Sequence, residues 1–212
     1  MPKVQSDELF VTDTREDDMF GMTGNENTDV DAMVLLKRDH QEVDGMFKQY
    51  EDIKEDAEDS EKEALVAQIC DALTVHAQIE EEIFYPSARR ALDADEGKDL
   101  LDEAAVEHQT LKDLIQRLED APTDDPLYDA GVKVLSEYVK HHVKEEENEL
   151  FPKIKSSSMD TAAIGKKLAD RKEQLMQSGG RAQPSSNGQR RGTRGGESRS
   201  RKGRDASAGD DR

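Results

Sequence analysis

Apolar residues recur at spacings of three and four along four long segments of this chain, and each segment places a histidine on its apolar stripe. Such spacing gathers side chains on one face of an α-helix, which turns once in about 3.6 residues. The first stripe reads Met33, Leu36, His40, Val43, Phe47, Tyr50. The second reads Leu65, Ile69, Ala72, His76, Ile79, Ile83, and the third Leu101, Ala104, His108, Leu111, Ile115, Leu118. The fourth contains Leu135, Tyr138 or Val139, and His142. The alternation expected of strands appears nowhere. The pattern predicts helices over about 28–54, 60–85, 97–118 and 126–151. Thr28 with Asp31 and Ser60 with Glu63 read as capping boxes, and Pro126 after Asp125 reads as a first-turn residue. Pro86 and Pro152 close the equivalent ends of the second and fourth helices. Short connections make this an all-α fold, an antiparallel (up-down) four-helix bundle over residues 28–155. Within 156–177, a shorter fifth helix packs outside the bundle or continues as a solvated arm.

Charge separates the body from the tail. Residues 1–177 carry 45 acidic against 21 basic side chains, a net of −24, and residues 178–212 carry 4 against 9, a net of +5. An acidic body repels nucleic acid and suits cations. Residues 1–27 are polar and aperiodic, and 178–212 contain no Val, Ile, Leu or Phe, so both are expected to be disordered. The Arg/Gly/Ser-rich tail offers weak nucleic-acid contact but no aromatic to stack on bases, so a solubilising role is preferred. The single cysteine, Cys70, excludes an internal disulfide and reads as a small buried hydrophobe. Neither a signal peptide nor a membrane span is evident, so a cytoplasmic, soluble protein is expected.

The chain has only five histidines: His40, His76, His108, His141 and His142. One buried histidine is ordinary. Four, one per helix, are costly unless something satisfies them, and a metal ion does. Aligning the segments that end at Pro86 and Pro152 pairs His76 with His142 and Glu80 with Glu146. That register selects His142 over His141, and Glu146 over Glu145. "DHQEVDGMF" from Asp39 aligns with "EHQTLKDLI" from Glu107. The chain thus reads as two helical hairpins, each offering one histidine and a His-x-x-x-Glu pair. The metal ligands expected are His40, His76, Glu80, His108, His142 and Glu146. If both carboxylates and one further oxygen bridge two metals, each metal has two nitrogens and three oxygens, leaving an octahedral ion one open position. Such a set suits iron better than calcium, magnesium or zinc.

These residues resemble the hemerythrin-like, HHE cation-binding family. The resemblance spans about 28–155 and rests on "KRDHQEV", "HAQIEEEIFYP", "EHQTLKDLI" and "HHVKEEENELFP". It implies a four-helix bundle holding two non-haem iron ions with an oxo or hydroxo bridge. It further implies binding or sensing of dioxygen, peroxide or nitric oxide, or a part in stress and iron responses. Two departures set the chain apart from oxygen carriers in that family. Lys112 stands where they place a second histidine in the third helix. They also put the fourth-helix carboxylate five residues after its histidine, at Glu147 here. Asp44 and Lys112 occupy equivalent places, either paired across the pseudo-axis beside the site or solvated at its edge. Competing readings are a di-iron oxidase or peroxidase, and a metal-free helical interaction module.

Overall fold

In the computed structural model, which describes residues 31–92 and 94–179, the first helix begins at an aspartate. Asp31 caps α1 (Ala32–Ile53) by accepting from the Met33 N–H at 2.9 Å. Asp31 is therefore the cap itself rather than a partner to Thr28, which lies outside the described residues along with 1–27 and 180–212. Helix α2 (Asp59–Ile79) opens with Asp59 and Glu61, whose charges favour the positive end of the helix dipole.

Pro86 does not end this helix. A π turn, Glu80–Phe84, follows α2, and the chain continues helically as α3 (Tyr85–Ala91). The same sequence of events follows α5 (Tyr128–Glu145), with a π turn at Glu146–Leu150 and then α6 (Phe151–Ser156). In a regular helix a proline ring clashes with the carbonyl four residues back and leaves it without a donor. A wider turn leads into each proline instead: the Tyr85 N–H reaches back five residues to the Glu80 carbonyl, and that of Phe151 to Glu146. The expectation that the prolines terminate helices is corrected accordingly. Pro126 also moves outside the helix. It sits in a turn where the Asp125 carboxylate accepts from the Leu127 N–H at 2.7 Å.

With α4 (Ala94–Asp120), the hairpins α1–α2 and α4–α5 form the expected four-helix bundle, and no strand occurs among the described residues. The buried apolar residues fall into two clusters. One gathers Leu36, Ile79, Phe84, Leu101, Leu150 and Phe151; the other gathers Val43, Phe47, Ile69, Leu73, Leu111, Leu135 and Val139. Val139 takes the stripe position, while Tyr138 is half-buried. Cys70 is buried in the second cluster, and burial pushes its thiol up to about 12.

Helix α7 (Thr161–Gln177) is capped by Asp160 and buries Ile164, Leu168, Ala169 and Leu175 against the bundle, so it is not a solvated arm. It lies on α1, α2 and the first π turn. No helix among the described residues is long and apolar enough to cross a membrane.

At the end of the bundle where α1 stops, the Tyr50 hydroxyl donates to Asp129 Oδ1 at 2.6 Å, and Lys62 Nζ approaches the same oxygen at 2.8 Å. Tyr50 is fully buried. Tyr50→Phe is expected to cost about 1–2 kcal/mol, seen as a lower urea midpoint with an unchanged slope.

Candidate metal centre

Between the two apolar clusters lies a polar layer. His40, His76, His108 and His142 are buried there with Glu80 and Glu146. His40 Nε2 and His76 Nε2 are 3.1 Å apart, and His108 Nε2 and His142 Nε2 are 3.2 Å apart. Glu80 reaches both pairs, with Oε1 3.1 Å from His76 Nε2 and Oε2 3.3 Å from His108 Nε2. Glu146 Oε2 lies 3.3 Å from His40 Nε2. Two donor groups result, His40–His76–Glu80–Glu146 and Glu80–His108–His142, each with its donor atoms within 4.8 Å of one another. All six residues singled out in the sequence meet in this layer. His141 does not; it is exposed, 3.2 Å from Glu145.

The outward nitrogen of each imidazole faces a carboxylate. His40 Nδ1 is 2.8 Å from Glu147, His108 Nδ1 is 2.9 Å from Glu81, and His142 Nδ1 is 2.7 Å from Glu107. His76 Nδ1 is 3.5 Å from Asp39. An Nδ1–H donated outward leaves the Nε2 lone pair facing inward, the tautomer a metal requires. The inner carboxylates are short of donors: Glu80 Oε1 and both oxygens of Glu146 are buried without a hydrogen bond. Inward lone pairs at such close range and buried carboxylate oxygens without donors repel one another unless protons or a metal cation lie among them. The donor set therefore fits a metal on its own chemistry.

Residues 31–154 match the hemerythrin HHE cation binding domain. The chain belongs to the hemerythrin HHE cation-binding family. A crystal structure of a hemerythrin HHE cation binding domain-containing protein from Mycobacterium kansasii superposes with a TM-score of 0.58 at 24% identity, covering 72% of this chain and 95% of that one. That likeness is one of fold. A protein named DNA nickase from Nostoc sp. (strain PCC 7120) is 26% identical over 134 residues, 63% of this chain. The chain spans only 36% of that relative's length.

The HHE layer contains a residue that the repeat conceals. Tyr85 aligns with Phe151, yet its hydroxyl lies 3.1 Å from His108 Nε2 and 3.5 Å from His142 Nε2, and donates to Glu80 Oε2 at 3.3 Å. Phe151 instead stacks on His40, with ring centroids 6.2 Å apart. The outer carboxylates Asp39, Glu81, Glu107 and Glu147 were also not singled out as histidine partners by the sequence reading. Their signal was present: each adjoins a layer residue in sequence. Lys112 and Asp44 do not pair. Lys112 donates to both oxygens of Glu81 at 2.6 Å, whereas Asp44 pairs with Lys48 at 2.6 Å. Glu81 lies on the facing helix within reach of Lys112, and it already carries His108.

Charge in the layer is strongly coupled. Burial disfavours the charged form of His76, but Glu80 and Asp39 outweigh it and raise its pKa to about 10. Burial likewise opposes His108, and Glu80 and Glu81 raise it to about 9. Burial raises Glu80, yet the surrounding imidazoles outweigh it and hold that carboxyl well below the usual range. Glu146 is raised by burial and by the charge of Glu80. In the metal-free protein both histidines are thus raised above the unfolded value of 6.5. Their contribution to stability is complete below that pH and is lost as pH climbs through about 9 to 10. The metal-free chain should show a lower urea midpoint near pH 9.5 than near pH 7, and Glu80→Gln should remove most of the difference. An equal pH dependence in that variant would contradict the assignment.

Proposed function

We propose that this chain is a non-haem di-iron protein that binds or senses a small molecule, namely dioxygen, peroxide or nitric oxide, in an oxygen or iron response. The observation that carries this reading is the doubled donor set, two imidazole pairs joined through Glu80. Imidazole with carboxylate suits iron, whereas calcium and magnesium prefer oxygen donors alone. His40, His76 and Glu146 would hold one ion and His108 and His142 the other, with Glu80 between them and the Tyr85 hydroxyl facing the second. Bound iron would supply an open position for a ligand and one-electron redox chemistry. The protein supplies the surroundings. Val43, Leu73, Leu111, Val139 and Val143 wall a cavity of about 20 Å³ against the four histidines. That volume admits roughly one water-sized molecule, which favours a diatomic ligand over an organic substrate.

Nickase activity, by likeness to the Nostoc protein, is a weaker reading. The net −24 of residues 1–177 repels a polyphosphate, and only 178–212 carry net positive charge.

Iron-reconstituted protein should contain about two irons per chain by metal analysis, with near-ultraviolet absorption that changes on exposure to air. Fewer than one iron per chain would overturn the reading. Glu146→Ala should reduce the content to about one. Glu147→Gln should keep both irons and weaken binding by about 10–100-fold, as expected of a residue that only orients a ligand.

A further inference from the structure

Three of the four outer carboxylates sit 2.7–2.9 Å from their histidine, and the fourth, Asp39, sits 3.5 Å from His76. Asp39 is also the carboxylate gripped from α7. Lys172 Nζ donates to Asp39 Oδ1 at 2.6 Å, and the Asp39 side chain is only 6% exposed. Its counterpart in the second hairpin, Glu107, has no lysine on it among the described residues. The Glu107 carboxylate meets His142 at 2.7 Å and the exposed His141 at 3.6 Å. Helix α7 lies beyond residues 31–154, outside the part of the chain that matches the HHE domain.

A carboxylate that accepts an Nδ1–H makes the imidazole a stronger donor at its other nitrogen. An ammonium on that buried carboxylate draws its charge away and competes for its lone pairs, and Lys172, itself partly exposed, stands in that position. We propose that Lys172 is a positioning residue that acts through Asp39 to weaken His76 as a metal donor. The metal position at His40–His76 is thereby the more labile of two sequence-related positions, and α7 sets the difference. The proposal rests on the di-iron reading above. Asp39 is also one methylene shorter than Glu107. If length alone set the gap, removing the lysine would change nothing.

The test uses the full chain loaded with ferrous iron and follows release to a ferrous chelator. Wild-type protein should lose iron in two phases that differ by about tenfold or more, the scale on which outer partners affect metal affinity. Lys172→Met should slow the fast phase until the two merge, and Lys172→Arg should keep them apart. Arg171→Met is the docking control. Arg171 binds Glu82 at 2.7 and 3.1 Å from the same helix without touching Asp39, so this variant should leave both phases in place. If Lys172→Met does not fold, Lys172→Gln, a neutral donor, is judged by the same criterion. Single-phase release from wild type, a split that survives loss of the lysine charge, or an equal effect of Arg171→Met would each overturn the proposal. A wild-type chain that never holds a second iron would remove the di-iron reading itself, a result visible in metal content before any release is measured.

Discussion

A carboxylate on the outer nitrogen of each buried imidazole is the contact on which this bundle depends. Four imidazoles and two inner carboxylates in an apolar interior are costly unless each is oriented and partnered. The outer carboxylates do this and also join the helices. Asp39 to His76 and Glu107 to His142 close each hairpin on itself. Glu147 to His40 and Glu81 to His108 tie one hairpin to the other. Removing one of them frees an imidazole to rotate and loosens a helix–helix register together.

The two halves share a plan but not a chemistry. The repeat equates Tyr85 with Phe151 and Asp39 with Glu107. In each case the difference falls beside the polar layer rather than on the surface. The first hairpin presents the Tyr85 hydroxyl to the imidazoles of the second, and the second stacks the Phe151 ring on His40 of the first. An internally repeated scaffold thus holds two unlike halves of one centre.

Much of this was legible in the sequence because burial imposes periodicity. The stripe through Leu101, Ala104, His108, Leu111, Ile115 and Leu118 is buried throughout. The register of the two His-x-x-x-Glu segments separated His142 from His141 and Glu146 from its neighbours. The continuation of the helices past Pro86 and Pro152 was not legible. It depends on the wider hydrogen-bonding pattern of the π turns, which moves the buried positions from Ile83 to Phe84 and Tyr85, a one-residue shift that the apolar run of all three residues conceals. The Lys112–Glu81 contact was hidden for a different reason. It joins residues 31 apart in sequence, and a charged pair at a stripe's edge has many partners in reach.

The π turns have a consequence for how the chain tolerates change in length. Each holds one residue more than a regular turn, so each works as an insertion inside an otherwise continuous rod. Excising a residue from Glu80–Phe84 would restore ordinary pitch and swing everything beyond it by about 100° about the rod axis. Tyr85 would leave the polar layer and a neighbour would face it instead. Which aromatic looks onto each half of the centre is therefore written in a count of residues as much as in their identity.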